Sequence, residues 1–159
     1  MIFVTLGSQK FQFNRLLKKL DKLVEEGAIK EELFAQIGYS DYIPKNYKFK
    51  NFLDRDEFSK VMNKCDKVIT HGGTGAIIGA VKKSKKVIAV PRNCKFNEHV
   101  DNHQYDIVSE FSDMNLIVGL YDLGDISRII RDIDFMTFKS YKSNTKNIIL
   151  DLEKFIENN

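Results

Sequence analysis

The sequence predicts a Rossmann-like α/β fold, in which a parallel β-sheet is flanked by helices. Short apolar runs rich in β-branched residues alternate along the chain with longer stretches of helical spacing. The 159 residues are 43% hydrophobic and 30% charged, with only two prolines, which fits one compact domain without a linker or a disordered arm. We therefore interpret residues 1–159 as a single domain.

Six runs of apolar and β-branched residues predict the strands. In chain order they cover residues 2–6, 34–39, 47–52, 67–70, 86–90 and 116–118. Turn residues separate these runs: the Gly7-Ser8 turn ends the first, Pro44 lies between the second and the third, and Pro91 stops the fifth.

Six stretches between and after these strands are predicted as helices. In chain order they cover residues 13–24, 56–64, 76–83, 98–111, 125–135 and 142–156. In the first, apolar residues recur every three or four positions until Gly27 supplies a stop. Ligands of such folds bind outside the carboxyl ends of the strands, so the loops that follow strands are the candidate sites.

The loop after the fourth strand, His71-Gly72-Gly73-Thr74-Gly75, is a candidate phosphate site. Glycines let the main chain approach a diphosphate closely, and the helix that follows points the positive end of its dipole at the loop. Thr74 adds a hydroxyl donor. The loop differs from both the G-x-G-x-x-G fingerprint and the Walker loop, so a tight turn without a ligand is the alternative.

A second group of polar residues, 92–104, begins where the fifth strand ends. Its Asn, Gln and His side chains suit sugar hydroxyls, and Arg92 suits a phosphate, although an ordinary polar loop has a similar composition. His99 and His103, with Glu98 beside them, also allow a metal site. The order E-H-x-x-x-H differs from the H-E-x-x-H motif and no third ligand is evident, so we predict no metal.

Several other classes of protein are disfavoured by composition. Cys65 and Cys94 match no C-x-x-C spacing and are expected to be reduced. The net charge is +3, but no basic and aromatic pattern of a nucleic-acid reader accompanies it. The sequence contains no apolar run of about 20 residues and no signal peptide, so we expect a cytoplasmic protein.

Taken together, the motifs resemble the C-terminal, donor-binding domain of glycosyltransferase family 28. The resemblance covers nearly the whole chain and is greatest to stand-alone members: exopolysaccharide and capsule subunits of the PssE type, and the soluble catalytic subunit of the dolichol-linked GlcNAc transferase. It rests on Val4-Thr5-Leu6-Gly7-Ser8, Ile69-Thr70-His71-Gly72-Gly73-Thr74-Gly75, Val90-Pro91-Arg92 and Glu98-His99-Val100-Asp101-Asn102-His103-Gln104.

The resemblance implies a UDP-sugar as the donor substrate, with no separate cofactor. The implied donor-binding residues are Gly7 and Ser8 at the interdomain cleft, Phe52 and Leu53 at the uracil, Gly72, Gly73, Thr74 and Gly75 at the diphosphate, and Asn102, His103 and Gln104 at the hexose hydroxyls. The candidate catalytic residues are His71, Arg92, Glu98 and His99.

One position departs from the family pattern. Many relatives carry a glutamate for the ribose hydroxyls in the helix after the glycine loop, and this chain has Gly79 there. Ribose recognition must therefore differ, or nucleotide affinity is reduced. This departure favours a rival function, a non-catalytic enhancer of a partner glycosyltransferase.

Full-length members of the family fold as two α/β domains of the GT-B type, one for the donor and one for the acceptor. The length of this chain fits one such half, the C-terminal one. We therefore expect it to be the donor-binding subunit of a bipartite enzyme that moves a hexose or N-acetylhexosamine to a lipid-linked acceptor.

The expected partner is a membrane-anchored, PssD-like acceptor subunit, which would hold this chain at the inner face of the membrane and supply the general base. A free-standing enzyme on nucleotide sugars, such as an epimerase, is a second rival, but it would need about two domains.

Overall fold

The computed structural model describes residues 1–142, in which six parallel strands form one sheet. The strands are β1 (Ile2–Thr5), β2 (Leu33–Gln36), β3 (Lys48–Lys50), β4 (Lys67–His71), β5 (Lys86–Val90) and β6 (Val118–Gly119). The α-helices of the described residues are α1 (Asn14–Glu25), α2 (Arg55–Lys64), α3 (Thr74–Val81), α4 (His103–Asp113) and α5 (Ile126–Asp132). The predicted Rossmann-like fold is confirmed.

The strand order is β3-β2-β1-β4-β5-β6, and every neighbouring pair is parallel. The chain builds outward from β1 to β3, then crosses back to place β4 beside β1. The strand order therefore reverses between β1 and β4, where a crevice opens at the carboxyl ends of parallel strands.

The two faces of the sheet are covered by different helices, and adjacent residues of a strand point to opposite faces. Val4 and Ile69 pack with apolar residues of α1 and α5 in one cluster. Phe3 and Val68 pack with residues of α2, α3 and α4 in the other. Because both faces are buried, the central strands are mostly apolar, which is why they were recognisable as runs.

The two edge strands of the sheet are shorter and more exposed than the central strands. At one edge, β3 is three residues long, with Lys48 and Lys50 exposed and Phe49 half-buried between them. At the other edge, β6 contains only Val118 and Gly119. β3 is shorter than the predicted strand at residues 47–52. β6 is shorter than the predicted strand at residues 116–118 and begins two residues later.

The last predicted elements differ in detail. The helix predicted over residues 125–135 is divided: α5 is preceded by a 3-10 turn at Leu123–Asp125 and followed by another at Ile133–Phe135. The closing helix predicted over residues 142–156 lies, beyond Lys142, outside the described residues. No helix among residues 1–142 is long and apolar enough to cross a membrane.

The helix predicted over residues 98–111 starts later than expected, at His103. A 3-10 turn at Cys94–Phe96 comes first, and Asn97 then adopts a left-handed conformation with φ of 55°. Glu98 is wholly buried and accepts a hydrogen bond from the Asn93 N–H group at 2.9 Å. This loop closure holds residues 97–102 out of the helix, so His99 and His103 are not one helical turn apart.

A buried carboxylate anchors the loop between β2 and β3 to α1. Asp21 is 3% exposed and accepts hydrogen bonds from the Tyr42 hydroxyl at 2.6 Å and from the N–H groups of Lys45 and Asn46. Burial alone would raise the pKa of Asp21, but these hydrogen bonds outweigh burial and lower the pKa below its ordinary value of 3.8. Asp21 therefore stabilises the fold in its charged form.

We expect Asp21→Asn to lower the free energy of unfolding at pH 7 by about 1–3 kcal/mol, because an amide cannot accept all these hydrogen bonds. Since the folded-state pKa lies below the unfolded value, the stabilisation by Asp21 is present above about pH 4 and is lost as the pH falls through the folded pKa. Urea unfolding at pH 7, at about pH 4 and at about pH 2.5 measures the difference between the two proteins, which should be similar at the first two pH values and shrink at the third.

The exposed Asp113 in α4 provides the matched control. Asp113→Asn should change the unfolding free energy by no more than about 0.5 kcal/mol at any of these pH values. An equal effect of the two substitutions would show that Asp21 has no special structural role.

Candidate functional site

A pocket of about 360 Å³ lies at the carboxyl ends of β1 and β4, at the point where the strand order reverses. Loops from both strands and the segment after β5 line it. The lining residues are Gly7, Ser8, Gln9, His71, Gly73, Thr74, Gly75, Ala76, His99, His103, Gln104 and Ile107. Seven of the predicted donor-site residues and two of the predicted catalytic residues are thus brought together, as expected from the rule for parallel sheets.

The imidazole of His71 fills the space between the loops that follow β1 and β4. A Cβ atom on Gly7 would lie 2.7 Å from the His71 Cε1 atom, and one on Gly73 would overlap the same ring. Gly7 also has a φ of 75°, which disfavours any other residue. Both glycines are therefore required by the packing of the protein itself.

Burial, together with the nearby charge of Arg92, lowers the pKa of His71 from 6.5 to about 4, although a hydrogen bond with the Thr5 carbonyl opposes both effects. The ring is therefore neutral at physiological pH. A group with so low a pKa is a weak general base at neutral pH. His71 lines the pocket, but its clearest function is to hold the two loops at a fixed separation.

The glycines of the β4 loop have three different surroundings. A Cβ atom on Gly72 would lie 2.7 Å from the Gln104 Cβ atom and 3.0 Å from the Val108 Cγ2 atom, so Gly72 is needed for packing against α4. Gly73 is needed for His71. Only Gly75, in the first turn of α3, has open space where a Cβ atom would be. All three were predicted to allow close approach of a ligand. In the structure, packing accounts for Gly72 and Gly73, and only Gly75 of the three has free space beside it.

Gln104 joins the loops after β4 and β5. Its side-chain oxygen accepts hydrogen bonds from the N–H groups of Gly72 and Arg92, each at 3.0 Å, and the residue is 2% exposed. The oxygen predicted to read a sugar hydroxyl is thus already used within the protein. This bond fixes the start of α4 against the glycine loop.

Arg92 lies outside the pocket and is wholly buried. Its Nη2 group donates to the carbonyls of Leu6 at 2.8 Å and Phe11 at 3.3 Å, while Nε and Nη1 have no hydrogen-bond partner among the described residues. Burial lowers its pKa to about 10, so it stays charged at neutral pH. In this conformation Arg92 cannot contact a diphosphate, contrary to the prediction, and it instead fastens the loop after β1.

Glu98, the other predicted catalytic residue outside the pocket, forms a two-bond salt bridge with Arg15. Its two oxygens accept from the Arg15 Nε and Nη2 groups at 2.8 and 3.0 Å. Both oxygens are therefore engaged, and Glu98 is not available as a general base in this conformation. It ties the segment after β5 to α1.

Four predicted donor-site residues do not line the pocket: Gly72, which packs against α4, and Phe52, Leu53 and Asn102. Phe52 is 44% exposed and packs edge-on against Tyr39, with ring centroids 5.1 Å apart. Leu53 is half-buried, and its N–H group donates to the side chain of Gln36. Asn102 accepts a hydrogen bond from the Cys94 N–H group at 3.0 Å. Phe52 and Tyr39 follow β3 and β2, so this aromatic pair lies, like the pocket, at the carboxyl ends of the strands.

The remaining two histidines of the chain meet at the rim of the pocket, next to Asp101. The Nδ1 atom of His99 lies 3.2 Å from Oδ1 of Asp101, and His103 contacts the same oxygen through its own Nδ1 atom. The sequence analysis identified no third group beside the two histidines. The structure supplies Asp101, which the chain reversal at residues 97–102 brings between them.

Sequence reasoning also missed two pocket residues. Gln9 follows the Gly7-Ser8 turn directly, and extending the motif by one residue would have included it. Ile107 lies four residues after His103 in α4, on the same helical face, so the helical period was the available signal.

Solved structures of glycosyltransferases are similar to this fold. The glycosyltransferase SnogD from Streptomyces nogalater is 21% identical, with a TM-score of 0.58 over 83% of this chain and 34% of its own. MurG of Acinetobacter baumannii is 14% identical, with a TM-score of 0.58 over 84% of this chain and 40% of its own. The chain therefore spans between a third and two fifths of the length of these relatives.

A third solved structure is matched over most of its own length. The solution structure of ALG13 is 17% identical, with a TM-score of 0.57, and the match covers 89% of both chains. At these identities the three likenesses establish the fold. No curated protein matches the sequence.

The sequence also matches the model of one protein family. The match extends over residues 1–157, nearly the entire chain, and includes every loop of the pocket. The protein therefore belongs to the glycosyltransferase family 28 C-terminal domain family.

Proposed function

We propose that this chain binds a UDP-sugar in the pocket between β1 and β4 and acts as the donor-binding catalytic subunit of a two-subunit glycosyltransferase. The observation that carries the proposal is the open start of α3 at Thr74 and Gly75, which faces the pocket of a family 28 domain. The transferred group would be a hexose or an N-acetylhexosamine, and the acceptor a lipid-linked sugar.

The start of α3 suits a diphosphate for two reasons. The first N–H groups of a helix have no acceptor within the helix, and here Thr74 and Gly75, the first two residues of α3, line the pocket. The helix dipole adds a partial positive charge at the same place. Because a leaving UDP gains negative charge as the glycosidic bond breaks, the same groups would stabilise the transition state.

The aromatic pair Tyr39 and Phe52 supports a binding site for the base. Both side chains are about half exposed, which is unusual for aromatic residues that could pack into a core. They follow neighbouring strands and lie at the edge of the sheet that carries the pocket. A uracil ring could stack on Phe52 while the diphosphate occupies the start of α3.

The division between two subunits is supported by the extent of the domain. SnogD and MurG contain this fold as little more than a third of their chains, whereas the ALG13 chain is covered almost completely. A domain of this size thus occurs both within a larger glycosyltransferase and by itself. The acceptor site and the general base would then belong to a membrane-anchored partner, consistent with the low pKa of His71 and the engaged oxygens of Glu98.

One observation favours the alternative of a non-catalytic enhancer. Gly79, at the position where many relatives carry a glutamate, has only open space around it, and no neighbouring side chain occupies that space. If no other group binds the ribose, affinity for the nucleotide would be low. The two functions differ in whether the chain binds UDP.

We expect Gly75→Asp to weaken UDP binding by about tenfold or more, because the new carboxylate would lie beside the diphosphate without clashing with the protein. The same substitution should raise the unfolding free energy slightly relative to Gly75→Asn, by about 0.3–1 kcal/mol, since an acidic residue is favourable in the first turn of a helix. Calorimetry with UDP and urea unfolding measure the two effects.

Gly75→Asn is the matched control, with nearly the same shape and no charge. It should bind UDP more tightly than the aspartate variant. Equal UDP affinity of both variants and the wild type would contradict a diphosphate at the start of α3. Gly73→Val is not a suitable test, because it would displace His71.

We expect Gly79→Glu to increase UDP affinity several-fold by supplying a carboxylate for the ribose hydroxyls. The open space at this position accommodates the side chain, and replacing an internal helical glycine should add about 0.5–1 kcal/mol of stability. The gain should disappear with a deoxyribose analogue of UDP. Gly79→Gln controls for the charge, and an unchanged affinity of the glutamate variant would place the ribose elsewhere.

We expect sugar transfer only when the partner is present. Purified chain, a membrane-anchored acceptor subunit and both together are incubated with radiolabelled UDP-sugar and a lipid-linked acceptor. Sugar transfer only when both proteins are present, together with UDP binding by this chain, would support the two-subunit enzyme. Robust transfer by this chain alone would refute it, and transfer by the partner alone, stimulated by a chain that does not bind UDP, would establish the enhancer.

A further inference from the structure

His99, Asp101 and His103 form a compact group of metal-ligating side chains at the rim of the pocket. One ligand atom from each residue lies within 4.8 Å of the other two. The imidazole rings of His99 and His103 pack edge to face, with centroids 4.8 Å apart and an angle of 63° between the ring planes. Among the described residues, no other such group of three is present.

The spacing of these atoms fits one small ion. Bonds of about 2.0–2.1 Å in a tetrahedral site place neighbouring ligand atoms about 3.3 Å apart. The distance of 3.2 Å between Nδ1 of His99 and Oδ1 of Asp101 meets this requirement. His103 is nearer to Asp101, but its side chain is half exposed and can move outward to the same separation.

The group is held by the surrounding structure. The side chain of His99 is 8% exposed, and its ring packs on Phe11 with centroids 4.6 Å apart. Asp101 accepts a hydrogen bond from the His103 N–H group at 3.1 Å, which fixes the carboxylate at the start of α4. The positive end of the α4 dipole disfavours a cation there, but this effect is weak beside three coordinate bonds and is opposed by the charge of Asp101.

The positions of the ligands in the chain leave part of the ion open. All three lie within five consecutive residues, so they can cover only one side of it. His99 and His103 both line the pocket, so an ion bound by them would lie at its rim. Two imidazoles and one carboxylate with open positions form a ligand set typical of transition-metal ions rather than of Mg²⁺ or Ca²⁺.

We infer that His99, Asp101 and His103 bind one divalent transition-metal ion of the Zn²⁺ and Co²⁺ class at the rim of the pocket. The inference replaces the earlier expectation of no metal, which rested on the apparent lack of a third ligand. It concerns the free chain and does not depend on nucleotide binding.

The test is a titration of the untagged, metal-free chain with Co²⁺, followed by visible absorption, and then displacement by Zn²⁺. We expect one equivalent of Co²⁺ to bind, Zn²⁺ to displace it, and a large excess of Mg²⁺ to leave it bound. Asp101→Asn and His103→Gln change exposed side chains. Each should weaken Co²⁺ binding by about tenfold or more, because removing a residue that binds the metal directly costs at least as much affinity as removing one that only orients a ligand.

Cys94→Ser is the control, because Cys94 is half-buried, its N–H group bonds to Asn102 between two of the proposed ligands, and a thiolate also binds such ions. It should leave Co²⁺ affinity unchanged. The inference is overturned if no stoichiometric Co²⁺ binding occurs, if the Asp101 and His103 variants bind as tightly as the wild type, or if Cys94→Ser alone abolishes binding. UDP binding by the same preparation is measured separately, so failure of one result does not imply failure of the other.

Discussion

The close approach of two backbone loops around one imidazole is the constraint on which the pocket depends. The loops after β1 and β4 can meet at His71 only because Gly7 and Gly73 carry no side chains. The ring fills the gap that the two glycines leave, and its burial keeps it neutral, so no charge competes with a ligand at this point. The separation of the two loops is thus set by the imidazole ring that lies between them.

Three buried polar side chains hold this arrangement in place. Arg92 fastens the loop after β1, Gln104 joins the loops after β4 and β5, and Glu98 binds Arg15 of α1. None of these side chains needs to touch a ligand to matter for binding. They fix the loops around the pocket, and in the proposed donor site such a fixed arrangement would let backbone groups stabilise charge without reorganisation.

The sequence was informative wherever the signal was local. The central strands are buried on both faces and are recognisable as apolar runs. The glycine motif was correctly placed at the junction of β4 and α3, although His71 belongs to the strand and Thr74 and Gly75 to the helix. Arg92 and Glu98 were misjudged because their partners, Leu6 and Arg15, lie more than 80 positions away and no local pattern connects them. The late start of α4 has the same origin, since burial of Glu98 overrides the helical pattern of residues 98–102.

The two edges of the sheet determine how the domain can meet another protein. An uncovered strand normally offers its N–H and C=O groups to a second sheet, but the lysines of β3 and the brevity of β6 make both borders poor templates for strand addition. A second polypeptide must therefore recognise side chains and loops rather than extend the sheet. Such contacts can form and separate without unfolding either protein, which would suit the proposed pairing of a donor-binding and an acceptor-binding subunit.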